Sequence, residues 1–398
     1  MRATEGCPET QTLPLAYLTR IAVGSLAGMA AAAIAHAEPL YPTPEDLGEA
    51  LFFDSSLSMN RTQACATCHD PAHAFVDPRE TEAGRSASLG DDGVSLGDRN
   101  TPTAAYAMFS PEFHHDPETG LWKGGQFLDG REISLEGQAG GPPLNPIEMG
   151  MPDADSVVRR LQENPDYVAA MKAFYGDGVF DQPLVAYEAM ARAIAAFERT
   201  DVFAPFDSKY DRYLRGEYTM TEEEELGRVL FFSEQFTNCN RCHQLRRSPI
   251  DPKETFSNYA FHNIGVPRNA RLRGVNGVGD DGQDTGLLLN PGVDDPAQAG
   301  RFKVPTLRNV AVTGPYMHNG VFEDLRTAVL FYDKYNSRNP ARQINPETGQ
   351  PWGPPEVDGT LSMEELEASP ALDDQRIDAI VAFLKTLTDA RYEHLLDE

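Results

Sequence analysis

Cys65-Ala66-Thr67-Cys68-His69 is a Cys-x-x-Cys-His unit, and the chain repeats it once, as Cys239-Asn240-Arg241-Cys242-His243. Two thiols at this spacing can add to the two vinyl groups of a porphyrin, and the adjacent imidazole then reaches the iron from the proximal side. Each unit therefore predicts a covalently attached c-type haem, one on Cys65, Cys68 and His69, the other on Cys239, Cys242 and His243. Competing uses of Cys-x-x-Cys fit less well. A zinc ribbon sets its pairs about 15–20 residues apart, whereas these lie in opposite halves of the chain, and a redox dithiol does not require a His after its second Cys.

The surroundings of the two units repeat as well. Leu47-Gly48-Glu49-Ala50-Leu51-Phe52-Phe53 precedes the first, and Leu226-Gly227-Arg228-Val229-Leu230-Phe231-Phe232 precedes the second. Thr43-Pro44-Glu45-Asp46 and Thr221-Glu222-Glu223-Glu224 supply a capping Thr and first-turn acids, so each run predicts a short amphipathic helix. Downstream, Ala193-Ile194-Ala195-Ala196-Phe197-Glu198 echoes Ala379-Ile380-Val381-Ala382-Phe383-Leu384. Each half thus reads helix, haem unit, irregular region, closing helix, which is the cytochrome c plan. The expected fold is mainly α, with two cytochrome c-like haem domains and long Gly- and Pro-rich irregular loops. The division falls near Thr200 to Pro205, giving residues 38–204 and 205–398.

Residues 1–37 read as an export signal: Arg20, the apolar run Ile21 to Ala35, then Ala35-His36-Ala37 as a small-x-small cleavage site. The run is shorter than the ~20 residues that cross a bilayer as a helix. Cleavage would remove Cys7 and leave only the four haem-unit cysteines, so no structural disulfide is expected and a periplasmic location is. The 34 Lys and Arg stand against 61 Asp and Glu, a formal charge of −27. Such a surface argues against nucleic acid and against anionic membrane after signal cleavage, and any protein partner must dock through a local patch.

What each haem does depends on its sixth position. A second protein ligand favours electron transfer; an open position admits peroxide or dioxygen. His262, His318, Met149, Met151, Met317 and Tyr332 are all possible ligands by residue type, and spacing does not choose among them. His73, His114 and His115 read as surface or packing residues. An open haem needs a group to move peroxide protons, and Gln138 and Glu148, in a loop shaped by Pro142, Pro143 and Pro146, are candidates.

Several runs resemble the bacterial dihaem cytochrome c peroxidase superfamily. They are Leu57 to Pro71 around the first haem unit, Gly97-Asp98-Arg99-Asn100-Thr101-Pro102, Pro205-Phe206-Asp207-Ser208-Lys209-Tyr210 and Gly314-Pro315-Tyr316-Met317-His318-Asn319-Gly320. From about Asp46 to Leu396 the chain is similar to the methylamine-utilisation branch, through Lys123 to Phe127, Phe302 to Thr313 and Phe331-Tyr332-Asp333-Lys334-Tyr335. The resemblance implies His69 as proximal ligand of an open, high-spin, peroxide-reactive haem, and His243 with Tyr332 on a closed, six-coordinate one serving electron transfer. It places Gln138, Pro142 and Glu148 in the distal pocket, and Asn100, Thr313 and Pro315 around a calcium ion between the haems. Its axial Tyr replaces the Met of the peroxidases, and a phenolate favours oxidised iron where a thioether favours reduced iron.

The implied activity uses hydrogen peroxide, or dioxygen plus electrons, to oxidise two Trp side chains of the precursor methylamine dehydrogenase small subunit by electron transfer. This completes the tryptophan tryptophylquinone cofactor. A small cupredoxin or cytochrome c is a possible electron donor. Two other functions share the haem units: a peroxidase that removes hydrogen peroxide with electrons from such a donor, and a non-enzymatic two-haem electron carrier. The chain departs from the pattern at Leu128, where the superfamily has a Trp between the haems; the nearest indole is Trp122.

Overall fold

The computed structural model describes residues 40–245, 248, 250–279 and 281–397. The expected export segment and Cys7 lie outside the described residues. Thirteen α-helices occur among those residues. In the first half they are α1 (Pro44–Phe52), α2 (Cys65–Cys68), α3 (Leu135–Ala139), α4 (Ala154–Gln162), α5 (Pro165–Tyr175) and α6 (Pro183–Glu198). In the second they are α7 (Lys209–Leu214), α8 (Glu222–Phe231), α9 (Cys239–Cys242), α10 (Ala270–Val275), α11 (Leu325–Asp333), α12 (Met363–Leu366) and α13 (Asp374–Lys385). Among the described residues, extended strand is confined to three antiparallel pairs: β1 (His114–Asp116) with β2 (Leu121–Lys123), β3 (Phe261–His262) with β4 (Phe302–Lys303), and β5 (Ile344–Asn345) with β6 (Gln350–Pro351). The mainly α class with long irregular connections is therefore as the sequence predicts.

The predicted helix starts form as capping boxes. Thr43 Oγ1 accepts from the Asp46 amide at 3.2 Å while the Asp46 carboxylate accepts from the Thr43 amide at 2.9 Å; Thr221 and Glu224 repeat this at 3.2 and 2.8 Å. Each box satisfies two amides that the first turn leaves unpaired.

Both echoes in the sequence are resolved by one contact. α1 crosses α6 and α8 crosses α13, and in each crossing a glycine lies on the backbone of the closing helix. A Cβ at Gly48 would stand 1.9 Å from the Ala193 carbonyl oxygen, and one at Gly227 would stand 1.9 Å from that of Ala379. Only hydrogen fits there, and the echoed Phe197 and Phe383 close on the same glycines. Around these crossings sit two main cores. One contains Leu47, Leu51, Phe52, Ile194, Phe197 and Phe203; the other contains Leu230, Phe231, Ile380, Phe383 and Leu387. Pro39–Glu398 packs as one compact unit.

Candidate functional site

Each haem unit opens on its own cavity. Cys65, Cys68 and His69 line one of about 470 Å³; Cys239, Cys242 and His243 line one of about 370 Å³. Both volumes lie in the range of cofactor pockets, about 300–1,000 Å³. Leu384 of α13 lines the second cavity, and Glu198, its counterpart in the echo, lines the first.

The two histidines are held alike. Nδ1 of His69 lies 3.1 Å from the Phe75 carbonyl oxygen, and Nδ1 of His243 lies 3.1 Å from that of Phe256. A carbonyl only accepts, so Nδ1 carries the proton in both and Nε2 keeps a lone pair for a metal. Phe75 and Phe256 both adopt left-handed backbone, φ 58° and 56°, which turns their carbonyls toward the rings. Burial lowers the His69 pKa and takes that of His243 to about 4, so both imidazoles are neutral, as ligation requires. Burial likewise raises the Cys65 and Cys239 thiols, and brings Cys68 and Cys242 to about 11 and 12. These are not activated thiolates. Conversion to thioethers removes their titration altogether, and the apolar, desolvated setting suits that product.

Gln138 on α3, Pro142 and Glu148 all line the cavity of His69. Glu148 Oε1 accepts from Asn145 Nδ2 at 2.8 Å. Burial raises its pKa, partly opposed by Arg131. The cavity of His243 collects Tyr332 from the last turn of α11, together with His262, Met317 and His318. Burial also raises the Tyr332 phenol, with further contributions from Cys242 and Cys239. Both ring nitrogens of His262 are buried with no partner among the described residues. His318 stacks on Phe302, ring centroids 3.6 Å apart. Of the other candidates, Met149 lines the His69 cavity and Met151 is core. His73 pairs with Asp70 at 2.9 Å, and His114 and His115 are exposed on β1.

Asn100, Thr313 and Pro315 converge on the His243 cavity, and Asn100 reaches the His69 cavity too. Thr101, Pro102, Thr103, Gln126, Phe127 and Leu128 also line both, so these segments form a common wall. Trp122 lines neither cavity; it stacks on Phe113 at 4.9 Å.

The family model for di-haem cytochrome c peroxidase matches residues 42–219. The methylamine utilization protein MauG of Paracoccus denitrificans is 57% identical over 352 residues, covering 88% of this chain and 90% of that one. The chain belongs to the dihaem cytochrome c peroxidase family. The cytochrome c551 peroxidase of Pseudomonas aeruginosa is 30% identical, with 73% of this chain and 72% of that one covered. In structure, the diheme peroxidase BthA of Burkholderia thailandensis superposes with a TM-score of 0.76 at 32% identity, with 88% of this chain and 87% of that one covered. The protein is accordingly a MauG-type oxidoreductase with two c-type haems in two cytochrome c-like units. None of the helices among the described residues is long and apolar enough to cross a membrane.

Two features of the site escape sequence reading. The orienting carbonyls of Phe75 and Phe256 belong to backbone, which every residue has. Glu198 carried a visible sign, an acid where the second closing helix has Leu384. It is 6% exposed, its Oε2 has no partner among the described residues, and burial brings its pKa to about 8, with Arg199 opposing and Glu136 adding. A carboxyl raised in the folded state binds a proton that the unfolded chain has already released between the ordinary carboxylate pKa and about 8, so stability falls as pH rises through that window. Glu198→Gln is expected to flatten the thermal midpoint across it, measured by calorimetry at a series of pH values; an unchanged slope would show that Glu198 is ionised in the fold.

Proposed function

We propose that this chain oxidises tryptophan side chains of precursor methylamine dehydrogenase with hydrogen peroxide, or with dioxygen plus electrons, completing its tryptophan tryptophylquinone. The observation that carries the reading is Tyr332, a phenol facing the cavity of His243 in a chain 57% identical to MauG. In this reading residues 38–204 hold the open, peroxide-reactive haem on His69, and residues 205–398 hold the six-coordinate haem on His243 and Tyr332. Asn100, Thr313 and Pro315 offer amide, hydroxyl and carbonyl oxygens to a calcium ion, the hard ligands that ion prefers. The mature protein works in the periplasm, with a small cupredoxin or cytochrome c as electron donor.

A haem iron held by His69 with one position left open would supply the centre at which peroxide is reduced. The chain moves the proton. Glu148, ionised, takes a proton from the bound peroxide and returns it to the departing oxygen; Asn145 holds its other edge, and Gln138 offers an amide to the same space. Pro142, without an N–H, adds a wall that donates nothing. Glu148→Gln should lower the rate constant for reaction with peroxide by about 10²- to 10⁴-fold. Because burial raises Glu148, the acid limb of the wild-type pH profile should lie above the usual carboxylate range, with activity rising as the carboxyl ionises. Stopped-flow over a pH series checks both, and a variant keeping that limb assigns it elsewhere.

A second reading is a peroxidase that clears hydrogen peroxide; Leu128, where both branches carry a Trp, weakens the charge sharing between two oxidised irons that the first reading requires. Optical and electron paramagnetic resonance spectra before and after one equivalent of hydrogen peroxide separate the two. The proposed function expects one high-spin and one low-spin ferric haem that change together, followed by quinone formation on added precursor. A haem site inert until the other is reduced, with fast turnover on a small donor, supports the peroxidase.

A further inference from the structure

Three residues beyond the Asn100–Thr103 part of the common wall stands an oxidisable ring with a built proton acceptor. Tyr106 is fully buried and lines the cavity of His243. Two residues earlier, the Ala104 amide donates at 3.2 Å to the Phe75 carbonyl, the same oxygen that holds His69 at 3.1 Å. Tyr106 is thus tied by a short hydrogen-bonded path to the ligand of one haem while standing at the cavity of the other.

Its hydroxyl donates to Asp389 Oδ1 at 2.6 Å and accepts from the Phe206 amide at 3.2 Å. Asp389 Oδ2 accepts from Asn309 Nδ2 at 2.8 Å. Both carboxylate oxygens therefore act as acceptors, the pattern of an ionised group, and burial strengthens it as a base. The other charges facing the pair are Asp207 and the Arg308 guanidinium, 5.4 Å from the Tyr106 ring and itself paired to Asp211 at 2.6 Å. Asn309 is also the counterpart of Tyr106 in the second half: Pro102-Thr103-Ala104-Ala105-Tyr106 answers Pro305-Thr306-Leu307-Arg308-Asn309, with φ of 60° and 62° at the last residue. Packing alone is served in the second copy by an amide. The first copy has a phenol.

We propose that Tyr106, with Asp389 as its proton acceptor, is a redox relay that carries an electron from the haem at His243 to the haem at His69. This rests on the assignment of peroxide to the His69 cavity. Peroxide takes two electrons and two protons to give two waters. For one of those electrons, Tyr106 gives up an electron toward the His69 side as its phenolic proton passes to Asp389. An electron from the His243 side would then restore Tyr106, and the proton would return to it from Asp389. The net change is one electron moved between the haems, with Tyr106 and Asp389 restored.

The test uses the full dihaem protein with only the low-spin haem reduced, mixed with one equivalent of hydrogen peroxide. Its two rates are peroxide loss at the high-spin haem and oxidation of the ferrous low-spin haem. In Tyr106→Phe the first should be unchanged and the second slower by about tenfold or more. Asp389→Asn should slow the second as well, and the wild type should show a solvent deuterium isotope effect on it that Tyr106→Phe lacks. Equal rates of low-spin oxidation in wild type and Tyr106→Phe, with no isotope effect, would overturn the relay alone. A wild-type high-spin haem that does not react with peroxide would overturn the site assignment and the relay with it.

Discussion

Gly227→Ala is expected to destabilise the holoprotein by about 3 kcal/mol or more, with Gly48→Ala costing about as much. The new methyl carbon at Gly227 would stand 1.9 Å from the Ala379 carbonyl oxygen, and its other near neighbour, the Phe383 Cβ at 2.8 Å, belongs to the same closing helix. Neither can step aside alone, because one is helix backbone and the other is the root of a buried ring. The helices must separate, and Phe231 and Phe383, tilted against each other across this crossing, and Phe256, edge to face with both, lose contacts together. Urea unfolding followed by circular dichroism, together with covalent haem content, measures the effect. Gly274→Ala is the control: it lies inside α10 with nothing within 4 Å of a Cβ, and should be neutral or slightly stabilising. A midpoint as high for Gly227→Ala as for that control would mean the crossing is not set by backbone contact.

That prediction was half-written in the sequence. The repeated Leu-Gly pair before each haem unit and the repeated Ala-Ile at each closing helix show that something pairs them, and the haem units say around what. The sequence could not show that Gly48 and Gly227 are repeated because a carbonyl lies against each. The same holds for the site. Cys65, Cys68, His69 and their counterparts were legible because thioether attachment demands adjacent residues. A sixth ligand or a distal acid comes from any distance along the chain, so residue type left six ligand candidates open. The structure gathers Tyr332, His262, Met317 and His318 on one cavity and leaves Met151 in the core. Tyr106 was less visible still. A tyrosine among alanines reads as core, and what distinguishes it is Asp389, which comes from 283 positions later in the chain.

Replacing Tyr332 by Met should lower quinone formation on the precursor by about a hundredfold or more, ~2.7 kcal/mol of lost driving force or barrier, while both haems stay covalently attached. Tyr332 sits at the end of a rigid element. Asp324 caps α11 by accepting from the Arg326 and Thr327 amides at 2.7 and 3.2 Å, and Leu330 and Phe331 bury its other face. The side chain therefore reaches the His243 cavity without a loop to reposition it. Its desolvated phenol resists ionisation, so in the proposed ligation it would have to give up its proton and hold the iron as an anion. An anionic oxygen holds the oxidised iron more tightly than the reduced one, and a thioether does the reverse. Tyr332→Met should thus raise the reduction potential of the low-spin haem, while leaving the reaction of peroxide at the His69 site intact. Spectroelectrochemistry reads the potential, quinone absorbance reads the product, and haem staining after denaturing electrophoresis reads attachment. Tyr332→Phe separates ligand from packing: it keeps the ring in α11 but offers no oxygen, and should turn the low-spin haem high-spin. A low-spin spectrum and full quinone yield in both variants would remove Tyr332 from the iron and make His262, with both ring nitrogens free in the same cavity, the residue to test next.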